Sequence, residues 1–259
     1  MPGLAASTWL LFRTQLSRVW WSRRALACLA LAAATPALAW LVAAFGEVSG
    51  AEIATNLGWL LLLQVIVPLL ALVAGSAVVT EEIEDRTISY LFSRPIPRAS
   101  VLLGRWLAAL LFVSTLLAVA ALSTAFLASR SAAPGPAVGC GIVVPLLEAA
   151  VLGGAVYSAI FAAAGVFFRH PMIVGLGYAF AIEGFLANLP GRNQALTVQY
   201  YLRSIVGTTG SDAWREVEGF ELSRFDSATS AVVTLAVVLV LFLAAGSWRI
   251  TRREFVLSA

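Results

Sequence analysis

The chain has 259 residues, 60% of them hydrophobic and only 12% charged, with a mean hydropathy of +0.90. Soluble globular chains are about 45–50% apolar and about 25% charged, so polar surface is too scarce here to cover a water-exposed fold. High hydrophobicity equally excludes a disordered chain. The composition describes an integral membrane protein, and the apolar runs read below make the expected fold all-α.

Lysine is absent, and all 17 basic residues are arginine. No G-x-x-x-x-G-K-[ST] phosphate loop can exist without it, which excludes ATP hydrolysis by that route; lysine Schiff-base chemistry is excluded too. The single histidine, His170, rules out paired-histidine metal sites such as H-E-x-x-H. Cys28 and Cys140 form no C-x-x-C and are expected near opposite membrane faces, too far apart for a disulfide. The net charge of +3 and the pI near 9.2 are not read as a nucleic-acid footprint, because the arginines are sorted by side of the membrane.

Residues 1–24 come first. Trp9, Phe12, Leu16, Val19 and Trp20 share one helical face, with Thr14, Ser17 and Arg18 on another. This pattern predicts a helix lying along the inner membrane surface. Ala37-Leu38-Ala39 imitates a signal-peptide cleavage site, but 24 patterned residues precede the apolar run, so the segment is expected to be retained.

A helix crossing ~30 Å of hydrocarbon needs about 20 mostly apolar residues. Six such runs follow: Ala25–Phe45, Leu57–Val79, Leu107–Ala128, Gly141–Phe168, Met172–Leu189 and Ala228–Trp248. Pro68 and Gly75 are candidates for a kink or a close helix contact in the second. The fourth is long enough to tilt or to break at Pro145 or Gly153-Gly154. With the N-terminus inside, twelve arginines fall on the inner face and five (Arg130, Arg192, Arg203, Arg215 and Arg224) outside. The positive-inside bias therefore places both termini in the cytoplasm of a multi-pass cell-membrane protein. The outer loop Gly46–Asn56 carries Glu47 and Glu52 and no arginine. Trp20, Trp21, Trp106 and Trp248 are expected at inner headgroup level, Trp40 and Trp59 at the outer. The lysine-free composition suggests a GC-rich bacterial genome, hence a cell inner membrane.

Residues 190–227 form a long outer segment, and a connection of that length is usually functional or structured. Ala195 to Val206 has near-helical apolar spacing and a Tyr200-Tyr201 pair, which predicts short amphipathic helices resting on the outer surface or dipping into it.

The loop of residues 80–106 holds the most informative residues. Glu81, Glu82, Glu84 and Asp85 start at the end of the second span, followed by Arg86, Thr87 and an apolar face of Ile88, Leu91 and Phe92 at i, i+3 and i+4. Pro95 ends that helix by about Arg94, ahead of Pro97 and Arg98. Acids at the helix N-terminus suit its dipole, and an apolar face with charged ends suits docking into a partner's groove.

At this point the sequence resembles the type 2 ABC-transporter permeases. A span ends in a glutamate-rich turn with a hydroxyl residue, then Leu-x-x-Arg-Pro-x-x-Arg, then Gly-[Lys/Arg]. Glu82, Thr87, Leu91, Ser93, Arg94, Pro95, Arg98, Gly104 and Arg105 carry the match. Asp85-Arg86 replaces the frequent Arg-Gly or Lys-Gly, and Arg105 replaces lysine. The resemblance extends over the chain: interfacial helix, six spans, loop after the second, outer excursion after the fifth. It implies a single transmembrane domain (1–259) with a coupling helix over Glu81–Ser93, seated on a separate ATPase subunit that binds ATP and magnesium. This chain would then hold no cofactor and catalyse nothing itself. It would be half of a transporter, an exporter by expectation, working with a second copy or a homologue among membrane lipids and with no nucleic acid.

Two rival readings share these residues. Glu81-Glu82-Ile83-Glu84-Asp85-Arg86 fits E-E-x-x-x-R of CAAX-type intramembrane proteases, but that chemistry needs later histidines within hydrogen-bond reach, and only His170 exists. Glu148 and Glu183 are acids inside spans, each counted as roughly 10 Å below the outer surface at ~1.5 Å per residue. They are candidates for a substrate path, and for proton coupling in a secondary transporter. The bland reading is a protonated or hydrogen-bonded carboxyl. His170 is expected to be an inner turn residue.

Overall fold

The computed structural model describes residues 4–84, 98–188, 192–217 and 226–252, and every regular element among them is helical. Helix α1 (Leu4–Trp20) is followed by α2 (Arg23–Phe45), opened by the Ser22 hydroxyl, which accepts from the Ala25 N–H at 3.1 Å. Ser49 opens α3 (Gly50–Asn56) in the same way, accepting from the Glu52 N–H at 3.3 Å. A hydroxyl cap with an acid in the first turn is a strong helix start. The helix therefore begins seven residues before the apolar run, and the expected loop Gly46–Asn56 shrinks to residues 46–49. From α3 the chain continues through a π-helical stretch (Leu57–Ile66) into α4 (Val67–Glu84).

Next come α5 (Arg98–Ala128) and α6 (Cys140–Phe167). Helix α6 is unbroken despite Pro145 and the Gly153-Gly154 pair, and it forms the centre of the molecule, flanked by α4, α5 and α10 (Ala228–Arg252). Its glycines serve packing instead. A Cβ on Gly153 would stand 2.8 Å from Leu202 Cδ1, and one on Gly154 2.7 Å from Leu117 Cδ1. On the facing helix a Cβ on Gly75 would lie 2.9 Å from the Ser158 carbonyl oxygen, so α4 and α6 meet backbone to backbone. Trp106 Nε1 donates to Ser158 Oγ at 3.1 Å across α5 and α6. This tryptophan was expected at headgroup level but is buried, as is Trp59, which lies under the Arg203 guanidinium at 5.0 Å; Trp20, Trp21, Trp40 and Trp248 are exposed.

Among the described residues five helices are long and apolar enough to cross a membrane: Arg23–Phe45, Gly50–Val78, Ala99–Ala128, Cys140–Phe167 and Ala228–Arg252. The run expected as the fifth of six spans is shorter. It comprises α7 (Pro171–Leu176), a π-helical stretch (Gly177–Glu183) and α8 (Gly184–Asn188). A 3-10 turn (Arg192–Leu196), α9 (Val198–Thr209) and a second 3-10 turn (Asp212–Glu216) lead towards α10.

Helix α9 is the amphipathic helix expected in the outer segment, but it is inserted into the bundle. Leu202, Ile205 and Val206 are fully buried. Leu202 meets Gly153, and beyond the helix the Ser211 N–H donates to the Gly141 carbonyl at 3.0 Å. The Val198 N–H, at the other end, donates to Glu183, which is bonded to Tyr157. Helix α9 thus runs antiparallel to α6, from the level of Tyr157 back to Gly141, sixteen residues or roughly 24 Å along that helix.

Helix α1 crosses α5 at Gly104. The face it packs is Ser7, Leu11 and Gln15, while Trp9 and Trp20, from the stripe expected along the membrane surface, remain exposed. Small residues at a crossing let backbones approach closely, and the aromatic rings are left for the lipid-facing side.

Candidate functional site

Of the twelve residues expected to couple to an ATPase, Glu81, Glu82 and Glu84 stand in the last turn of α4 and Arg98 opens α5. Asp85, Arg86, Thr87, Ile88, Leu91, Phe92, Arg94 and Pro95 lie outside the described residues, as does Ser93. The two roots of this loop are braced together. Arg105 is 5% exposed, and its Nη1 donates to the Val78 carbonyl at 3.4 Å, one turn above Glu82. A cation at the closing turn of a helix complements its dipole. One residue away, a Cβ on Gly104 would stand 2.7 Å from the Thr8 carbonyl oxygen and 2.9 Å from Leu11 Cβ. The Gly-Arg pair quoted from the sequence therefore fastens α1 and α4 to α5 directly above the charged loop.

A second constellation lies deep in the bundle. Glu183 closes the π-helical stretch of residues 177–183 and is 2% exposed. Its carboxylate accepts from the Tyr157 hydroxyl and, at 3.3 Å, from the Val198 N–H, with Tyr178 beside it. These donors come from α6, from the start of α9 and from the same π stretch. Glu183 therefore lies at mid-height of α6, deeper than the roughly 10 Å expected, because the chain after α8 turns back inward to start α9.

Gln199, next to Val198, ties α9 to the second span. Within the π stretch the Val67 N–H reaches the Leu62 carbonyl. The next donor in that series would be residue 68, a proline with no N–H. Leu63 is thereby deprived of a main-chain donor in the π pattern, and Gln199 Nε2 supplies one at 3.0 Å. Sequence reasoning named Pro68 but not Gln199, Tyr157 or Tyr178. The available signal was an amide immediately before a Tyr-Tyr pair, opposite a proline inside an apolar run. π-Helical segments concentrate at functional positions in helical proteins, and here two of them face one buried polar cluster.

Glu148 and Glu183 are not brought together. Glu148 sits on an exposed face of α6, whereas Glu183 is enclosed. His170 is exposed in the turn preceding α7, where it lines a cavity with Arg24 and Arg169. Among the described residues no three His, Cys, Asp or Glu side chains gather as a metal site would require.

A family model described as ABC-2 family transporter protein matches residues 22–255. No curated protein matches the chain. The family match begins at the residue that caps α2 and runs past the end of α10, so it takes in all five helices of membrane-spanning length among the described residues and leaves out α1.

Proposed function

The chain belongs to the ABC-2 transporter family, and from that premise we propose that it is the membrane-spanning permease subunit of an ATP-driven exporter. In this reading a separate ATPase subunit binds ATP and magnesium and docks on the Glu81–Arg98 loop. Two copies of the chain, or one copy and a homologue, make the full transporter. The short helices α7 and α8, continued outward by α9, complete a sixth passage, and both termini lie in the cytoplasm. The observation that carries the reading is the brace at Gly104 and Arg105. Force applied to the loop is delivered through buried, short-range contacts to α1, α4 and α5 together.

The test is co-purification. The tagged chain should retain an ATPase, and Glu82→Ala or Arg94→Ala should lower both its retention and its stimulated ATP hydrolysis. Retention and stimulation unchanged in both variants would remove the coupling assignment.

The burial of Glu183 supports a second reading, a proton-coupled secondary transporter. Transport into vesicles with ATP present and the proton gradient collapsed separates the two. Continued uptake supports the ATP-driven reading, and uptake that vanishes supports the rival.

A further inference from the structure

Only one half of the Gln199 amide has a partner. Its Nε2 donates to the Leu63 carbonyl, and a carbonyl can only accept, so this bond fixes which way round the amide lies. The other half, Oε1, is buried and meets no donor, in a side chain that is 6% exposed. A buried acceptor in that condition calls for an explanation. The amide lies against the Tyr157 hydroxyl, which in turn donates to Glu183. Glu183 also accepts from main-chain N–H groups at the start of α9 and has Tyr178 beside it. Both tyrosines lean on the Phe161 ring, whose centroid is 6.0 Å from that of Tyr157 and 6.3 Å from that of Tyr178. Packing therefore holds these oxygens in place. The groups that act on Glu183 are hydroxyls and main-chain donors, none of which brings a positive charge. Arg203, the cation of α9, is seated on Trp59.

We propose that this cluster is a binding site for a single monovalent cation of the size of sodium. It would sit between the Glu183 carboxylate and Gln199 Oε1, with the hydroxyl oxygens of Tyr157 and Tyr178 completing its shell. Hard cations take oxygen ligands, and one carboxylate among neutral oxygens balances one positive charge. The orphaned Oε1 gains the partner it lacks, and the buried carboxylate gains a counter-charge. A proton on Glu183 is the competing occupant. Donors on both carboxylate oxygens suit the ionised form, which a cation preserves and a proton removes. The site requires no ATPase partner and stands apart from the direction of transport, so its failure would leave the permease reading untouched.

Binding of radioactive sodium to the full purified chain in detergent tests this, with choline replacing sodium to hold ionic strength constant. A single sodium ion per chain should be retained, displaced by unlabelled sodium and not by choline. Glu183→Gln keeps an acceptor oxygen but removes the charge, and should weaken retention at least about ten-fold, the scale of losing a charged partner. Gln199→Leu should weaken it by a similar factor. Glu47→Gln, at an exposed acid between α2 and α3, should leave it unchanged. Thermal unfolding separates loss of the site from loss of the fold: sodium should raise the midpoint of the parent and of Glu47→Gln, and should not move that of Glu183→Gln. Equal behaviour in sodium and in choline overturns the proposal and leaves Glu183 to a proton. Retention at the parent's level by Glu183→Gln or by Gln199→Leu overturns it too, as does an equal loss in Glu47→Gln.

Discussion

Gly104 of α5 and Thr8 of α1 are in backbone contact: the Cβ that Gly104 lacks would stand 2.7 Å from the Thr8 carbonyl oxygen. No flexible side-chain tip is involved, so the contact cannot be relieved by a rotamer change. Gly104→Val should therefore push α1 off its crossing, at a cost of about 1–3 kcal/mol typical of overpacking. Thermal unfolding in detergent would read this as a lowered midpoint, accompanied by faster hydrogen exchange in α1. A midpoint equal to the parent's would show that the crossing is not as tight as described.

Pro68 and Gln199 should be energetically coupled although they belong to different helices. Gln199→Leu removes the donor to the Leu63 carbonyl and should cost about 1–3 kcal/mol, the range for stranding a buried acceptor. In a Pro68→Ala background residue 68 regains an N–H, and the same change should cost measurably less. A double-mutant cycle on unfolding midpoints gives the coupling directly, and simple additivity would contradict the account.

Glu183→Ala strands the Tyr157 hydroxyl and the Val198 N–H at once. A loss of about 1–3 kcal/mol is expected, with faster amide exchange through α9. Glu183→Gln keeps an acceptor oxygen and should fall between parent and alanine. If the two substitutions behave alike, the carboxylate is not what holds α9.

Glu148→Gln should leave stability within about 0.5 kcal/mol of the parent, as surface substitutions usually do. A drop comparable to Glu183→Ala would mean that Glu148 is engaged in an assembly with a second subunit.

The long helices were legible because a bilayer demands about 20 consecutive apolar residues, and that demand is written locally. The helix within residues 1–24 was equally local, read from the spacing of Trp9, Phe12, Leu16, Val19 and Trp20. What escaped the sequence was decided between elements. Trp59 has the side chain of a headgroup anchor, but the fold covers it with Arg203 from a segment about 140 residues away. The depth of Glu183 could not be counted along its own run, because the segment after it reverses direction. Gln199 has meaning only opposite a carbonyl that Pro68 deprives of its donor. The Gly-Arg pair at 104–105 was read from a motif, whereas its work in joining α1 and α4 needed coordinates. Most of the coupling residues quoted with it lie outside the described residues, so their reading still rests on the motif.

Helix α9 starts at a buried tip beside Glu183 and leaves the helical body at the Gly141 end, and this governs how it could be displaced. Its buried tip is tied to Glu183 and, through Gln199, to the Leu63 carbonyl; Arg203 stacks on Trp59 partway along, and Leu202, Ile205 and Val206 make the rest of its flank apolar surfaces that slide. Such an element resembles a bolt in a barrel: once the catch is released it can be drawn outward, and no other helix need be rethreaded. The channel vacated would run beside Gly153, where the wall of the central helix is thinnest.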